Sequence, residues 1–399
     1  MTSTTMSMTG TRALDLDRVT FGLLLAFVAA LQISIAAAHV LLAATLLCWA
    51  ALLVRERTRP EAPRFFLPLL LYAAWTLVAT LFSFNFGVSL ADDKQLLLFL
   101  IVPLVYQMAR GERAPTVIDV VISVGAAGAV IGIIQYGVLH WDALDRRPQG
   151  TLTHYMTYSG VLMLAICAAV ARLVFGQRDR MWPAIVMPAL VVALALTSTR
   201  GAWVGASAGV ASIFALKNVR LVALVPIVAV LAFAIAPQGI TTRMVSMFDL
   251  SDPTIRDRVA MMRTGAAIIS DQPLTGIGPD MVPRMYVEYR DALAVNATNP
   301  HLHNVPLQIA AERGLPAVAI WIWFVATLVV TTWRLFRSGA DRVLAAGTLG
   351  AVAAMLAAGM FEYNFGDSEF LMLFLVLATL PFAATRAERA AGLHQHSHG

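Results

Sequence analysis

The chain is a succession of apolar runs, each near the length of a membrane span, broken by one polar interval of roughly 75 residues, Gln238 to Gly314. A spanning helix needs about 20 apolar residues. By that measure the candidates are 19–34, 36–54, 65–84, 94–109, 115–138, 155–175, 181–199, 201–217, 219–236, 315–336, 341–361 and 367–385, about 12 in all. The first two share one run of about 35 residues, too long for a single span, so a hairpin is expected there. With 59% hydrophobic and 13% charged residues and a mean hydropathy of +0.73, a soluble globular protein is excluded. The expectation is an all-α, polytopic integral membrane protein. Cys48 and Cys167 lie inside apolar runs, which argues against a disulfide framework. Residues 1–19 hold Arg12 and Arg18 but no cleavage-site pattern, so no removable signal peptide is expected.

The pI of about 9.5 reflects where the arginines fall rather than an affinity for nucleic acid. If the N-terminus is cytoplasmic, one side receives Arg12, Arg18, the arginines of 55–64, Arg110, Arg113, Arg172, Arg178, Arg180, Lys217, Arg220 and the arginines of 334–342 and 386–389. The opposite short loops receive Lys94, Arg146, Arg147 and Arg200, roughly 4 against 18. That bias requires an even span count with both termini inside, and the long polar interval then faces outward. The expected divisions are 1–236 with nine membrane helices, 237–314 as a large helical outward loop, 315–385 with three more helices, and a cytoplasmic tail at 386–399. His394, His396 and His398 make that tail a weak metal-binding tract, read here as a disordered end.

A polar interval this long is a folded element rather than a connector. Arg256 to Ser270 reads as an amphipathic helix, with Val259, Met262, Ala266 and Ile269 at helical spacing. Gly276 and Gly278 mark a turn, and Pro283 to Leu293 reads as a second short helix. Asn304 is placed as an N-cap with Pro306 in the first turn, Gly314 terminates, and Pro316 starts the next span.

Several residues here are suited to chemistry. His303 stands at a helix N-terminus, where the dipole disfavours imidazolium and leaves a neutral base for a hydroxyl proton. The plain alternative is a capping or interfacial histidine. His301 competes for the same role, and in an extended segment the two rings point the same way. A two-histidine metal pair is conceivable, but no third ligand stands at a recognisable spacing, so no metal is assigned. Arg200 lies between two apolar runs in a hairpin tight enough to need Gly201, where it must snorkel, pair or bind. Arg256 and Arg258 offer a second cationic centre, and guanidinium pairs bind phosphates bidentately. Their structural alternative is a solvated helix face. No phosphate-binding G-x-x-x-x-G-K-[ST] loop occurs, and Asp92-Asp93 reads as an adjacent carboxylate pair on a short outward loop.

At these residues the chain resembles the O-antigen ligase and polymerase superfamily, over about residues 65–380. Thr199-Arg200-Gly201-Ala202-Trp203 is similar to its arginine–glycine hairpin. Arg258 through Pro273-Leu274-Thr275-Gly276-Ile277-Gly278 is similar to its arginine, aromatic, helix, Pro-Leu-x-Gly-x-Gly pattern, with Met262 where a tryptophan is usual. His303-Asn304 with Leu307-Gln308 and Gly314 is similar to its histidine segment. The resemblance implies a metal-independent, cofactor-free glycosyltransferase with an undecaprenyl-diphosphate-linked O-antigen glycan as donor. In the ligase branch the lipid A-core oligosaccharide is the acceptor, on the periplasmic face of a Gram-negative inner membrane, completing lipopolysaccharide. By position, His303 is the implied base, Arg200 and Arg258 the implied diphosphate binders, and Arg256 and His301 further substrate-binding candidates. Glu362 and Asp367, at the outward end of a late span, are candidates for placing the acceptor. The alternatives are an O-antigen polymerase, with lipid-linked glycan as donor and acceptor, and a transporter or flippase of lipid-linked or anionic solutes.

Overall fold

Short polar residues stand just before many of the apolar runs, and in the computed structural model they start the helices. Ser34, Asn85, Asp252, Asn304, Asp341 and Asp367 each accept a hydrogen bond from a backbone N–H of the helix that follows. A cap of this kind stabilises a helix by about 1 kcal/mol. The structure describes residues 6–143, 146–177, 180–236, 238–246, 249 and 252–386; the histidine-bearing tail 387–399 lies outside them. Helix makes up 78% of the protein, without strands among the described residues.

The α-helices in chain order are α1 (Met6–Ala30), α2 (Ile35–Glu56), α3 (Phe66–Leu81), α4 (Phe86–Asp92), α5 (Ile101–Met108), α6 (Arg113–Gly137), α7 (Tyr155–Phe175) and α8 (Met181–Leu196). There follow α9 (Arg200–Lys217), α10 (Leu224–Ile235), α11 (Gln238–Val245), α12 (Pro253–Asp271), α13 (Val282–Tyr289), α14 (Val305–Ser338), α15 (Arg342–Gly359) and α16 (Ser368–Ala384). Among the described residues, α2, α6, α7, α14 and α15 are long and apolar enough to cross a membrane, and α3, α8, α16 and Val219–Leu231 are shorter apolar helices. The run at 19–54 breaks at Leu31–Ile33, and α1 packs on α2, as the expected hairpin requires. The run expected at 94–109 is instead composite: a 3-10 segment, Asp93–Leu100, leads into α5.

Packing brings the two ends of the chain's chemistry together. Gly201, Gly205 and Gly209 recur every four residues on α9, which forms a small-residue stripe. A Cβ on Gly205 would lie 2.8 Å from the Ala358 Cβ, and one on Gly209 2.9 Å from the Gly350 carbonyl. The close approach of α9 and α15 therefore depends on the missing side chains. It sets Arg200, at the head of α9, beside the segment that leaves α15. Gly201 thus serves packing, not the turn as expected; the positive φ of the turn is at Ser198 (54°).

The polar interval has its own core, formed by Met261, Ile268, Ile277, Met281, Val282, Tyr286, Leu302 and Ala311. Helix α12 buries Asp257, Ala260, Met261, Thr264, Gly265 and Ile268. The face expected from sequence is therefore the wrong one: Val259 is 45% and Met262 58% exposed. Asp257 is the reason the pattern misleads, since this carboxylate is 3% exposed. It accepts hydrogen bonds from the Val295 and Asn296 backbone N–H groups at 2.9 and 3.0 Å, and from the Asn296 and Asn299 amides. Helix α13 stops at Tyr289, short of the expected Leu293. Helix α14 runs through Gly314 with a kink (φ 78°, ψ 171°), so terminator and restart fall within one element. The Pro273–Gly278 segment clasps that kink: Leu315 N–H donates to the Pro273 carbonyl, and Ile277 and Gly278 N–H donate to Ala311 and Glu312.

Candidate active site

Arg200 begins α9 and is 7% exposed. Its Nη1 donates to the Ser246 carbonyl at 3.0 Å and hydroxyl at 3.2 Å, and its Nη2 lies 3.5 Å from Asp252. The guanidinium is therefore pinned by the polar interval rather than snorkelling. Asp252 also caps α12, so one carboxylate ties Arg200 to the helix that carries Arg258. Arg258 lies over the Phe361 ring, 5.8 Å from its centroid. Burial holds the Arg258 pKa below its usual value, which Glu362 opposes and the neighbouring Arg200 reinforces. Two guanidinium groups that repel one another in a partly desolvated place favour an anion between them.

Arg200 and Arg258 line one cavity of about 260 Å³ with Leu302, His303 and Asn304. Ile255, Val259, Met262, Met360 and Phe361 complete it. The exposed Val259 and Met262 thus have a place: they form the apolar side of the cavity. Arg256 is exposed and not among the cavity's lining residues, two positions from Arg258 and so well round the helix. Arg263 is likewise exposed, 3.8 Å from Asp291.

His303 precedes the cap of α14. Asn304 accepts a hydrogen bond from Leu307 N–H at 2.9 Å, as expected of an N-cap, and its amide donates to the Met360 carbonyl. The Gln308 side chain accepts from Leu302 N–H at 2.7 Å. Between them these bonds fix the backbone around His303, whose φ is 49°. His303 Nδ1 lies 3.1 Å from both Glu362 carboxylate oxygens. If Nδ1–H donates to that carboxylate, Nε2 is left with the lone pair. His301 also reaches Glu362, with Nε2 at 3.5 Å, and its ring lies 4.1 Å from that of His303. The shared direction of the two histidines agrees with expectation. Burial, partly opposed by Glu362, pushes the His301 pKa down to about 4, so that ring is neutral. Burial alone would raise the Glu362 pKa, but the hydrogen bond and charge of His303, then His301 and Arg258, hold it below the usual carboxylate range.

Glu362 was named from the sequence without an assigned partner; it is the group that joins both histidines. On its other side is a second cavity of about 230 Å³, lined among others by His154, Thr157, His301, Glu362, Asn364 and Asp367. Asp367 accepts hydrogen bonds from the Thr157 hydroxyl and, as the cap of α16, from Phe370 N–H. His154 and Thr157 gave no sequence signal. The Asp92-Asp93 pair is not a solvated loop: Asp92 lies 3.3 Å from Arg313, which also pairs with Glu312 at 2.8 Å. Trp75 Nε1–H donates to the Arg313 carbonyl, and Arg313 lies 3.5 Å from the Tyr363 hydroxyl. This buried network braces the α14 kink next to the residue that follows Glu362.

An apolar helical scaffold thus holds two arginines and a histidine around one cavity, with a carboxylate behind the histidine, an arrangement suited to an anionic ligand. The family model described as O-Antigen ligase matches residues 184–322, about a third of the chain, and that stretch is similar to the family. The matched interval is narrower than the 65–380 suggested by motif order; it contains Arg200, Arg258, His301 and His303 but stops short of Glu362. No curated protein matches the chain.

Proposed function

We propose that the protein is an inverting, metal-independent O-antigen ligase, which moves the glycan from undecaprenyl diphosphate to the lipid A-core oligosaccharide. The observation that carries this reading is one cavity lined at once by Arg200, Arg258 and His303, with Glu362 on the Nδ1 side of the histidine. The reading further places the site on the periplasmic face of a Gram-negative inner membrane, with about 12 spans and both termini cytoplasmic.

In this reading the diphosphate sits between the guanidinium groups and the first isoprenes lie along Val259, Met262 and Phe361. The acceptor hydroxyl oxygen attacks the anomeric carbon, its proton passes to His303 Nε2, and the bond to the diphosphate breaks with the electron pair leaving on phosphate oxygen. Arg200 and Arg258 stabilise that developing charge as a metal ion does elsewhere. Glu362 holds the imidazole in the useful tautomer and stabilises the imidazolium that forms. Attack opposite the leaving group inverts the anomeric centre; a retained configuration in the product would refute this step.

The test is transfer by purified protein from a polyprenyl-diphosphate donor to lipid A core with chelator present. Transfer by the wild type that is lost in folded His303→Ala supports the ligase reading. Extension of lipid-linked glycan without transfer to core supports the polymerase instead. Neither product, where a known ligase works, favours a transporter.

A further inference from the structure

His301, His303 and Glu362 each present a ligand-type atom toward the others, and those atoms all lie within 4.8 Å of one another. From the sequence the two histidines lacked a third ligand; the fold supplies it from the segment after α15. We propose that these three side chains form a site for a zinc-class divalent cation, and that the cation inhibits the enzyme by occupying His303 Nδ1. The inhibitory half rests on His303 being the base; the binding half does not.

The geometry supports the assignment. Zinc bonds to imidazole nitrogen and carboxylate oxygen at about 2.0–2.2 Å, so tetrahedral ligand atoms are about 3.4 Å apart. The carboxylate lies 3.1 Å from His303 Nδ1 and 3.5 Å from His301 Nε2, which an ion can bridge with small side-chain adjustments. Both imidazole and carboxylate are ligands that zinc accepts, and three protein ligands leave a fourth position for water. That position is accessible, because the cluster borders both cavities. His301 Nε2 faces the Glu362 carboxylate, which a cation can bridge in place of a proton, while Nδ1 is buried without a hydrogen-bond partner. Coordination through Nε2 requires the proton on Nδ1.

The consequence for His303 follows from its two nitrogens. Without a cation, Nδ1–H faces Glu362 and Nε2 carries the lone pair. With a cation on Nδ1, a neutral imidazole has its proton on Nε2, and no lone pair remains to take the acceptor proton. The cation also neutralises Glu362, which otherwise stabilises the imidazolium. One ion therefore removes the base and its support together, without touching the arginines.

The experiment uses the full chain, washed with chelator, with His394, His396 and His398 each replaced by Ala so that the tail does not compete. Zinc chloride is titrated calorimetrically, and X-ray absorption on the zinc-loaded protein counts imidazole ligands. The expected result is one zinc with two imidazoles. His301→Gln and Glu362→Gln, checked for folding by thermal melt, should each weaken binding by at least the 10–100-fold that losing an outer-shell partner costs, while Glu362→Asp keeps most of it. Saturating zinc should lower transfer at least about tenfold and chelator should restore it, since a proton-accepting base contributes about 10²–10⁴-fold. No saturable binding, or fewer than two imidazoles on the metal, overturns the site. Full or stimulated transfer by zinc-saturated protein overturns the inhibition. Zinc bound as expected by a protein that transfers nothing even with chelator refutes the glycosyltransferase reading and leaves the metal site standing.

Discussion

Replacing Glu362 with Gln removes a negative charge from His303 while leaving an amide oxygen able to accept from Nδ1–H. The charge effect is calculable from the structure. With carboxylate and imidazolium 3.1 Å apart, an effective dielectric of about 20 gives about 5 kcal/mol of attraction. If the proton is about half transferred in the transition state, about 2–3 kcal/mol of that is lost, or about 100-fold in kcat. Donor KM should change little, because the arginines are untouched. The assay is initial-rate transfer in liposomes at saturating donor and acceptor, with chelator. A kcat within threefold of wild type would refute any role for Glu362 in supporting the base.

Arg258→Lys keeps the charge but loses the planar fork and should lower kcat/KM for the diphosphate donor by about 10–100-fold, whereas Arg256→Ala, outside the cavity, should stay within about twofold; equal effects would contradict the placement of the two residues. Gly276→Ala should destabilise the protein by at least about 2 kcal/mol, read as a fall in melting temperature, because φ is 64° and the added Cβ would lie 2.4 Å from the Glu312 carbonyl carbon. Burial, partly opposed by the Arg313 charge, raises the Glu312 pKa from the ordinary 4.5 to about 7. The folded protein therefore binds the extra proton between those values, and stability falls as pH rises through the window and levels off above it. Glu312→Gln should remove that slope; melts in which the mutant keeps the full slope would show that another group is responsible.

Much of the scaffold was legible because apolar runs of span length, bounded by Ser, Asn and Asp caps, leave a chain few alternatives to helices. Asn304 was found for that reason, and so was the pairing of His301 with His303. The errors share a cause. The buried face of α12 was misassigned because Val259 and Met262 are apolar yet line a cavity, while Asp257 is charged yet buried under four hydrogen-bond donors. Apolar periodicity reports affinity for apolar surroundings, which a cavity wall and a core provide equally. Glu362 could be suspected as an ionisable residue at a span end, but its partners lie 59 and 61 positions away in sequence, and the packing of α14 on α15, with Asn304 bonded to Met360, is what brings that end beside the histidines. The Arg313 network was missed for the same reason: its members come from α4, α14 and the segment before α16, and no local pattern links them.

The kink at Gly314 also makes α14 a lever. Nine residues separate it from Val305, a lever arm of about 14 Å at 1.5 Å per residue. A change of only about 5° in the tilt of the membrane half, passed on through a rigid bend, would move the cap beside His303 by about 1.2 Å, a displacement that costs enzymes up to about 100-fold in rate. A helix longer than the local bilayer accommodates the mismatch partly by tilting. The backbone clasp from Pro273 to Gly278 and the Arg313 network stand at the fulcrum of that lever and hold its angle, so the place of the histidine and the tilt of the second half of α14 are set together.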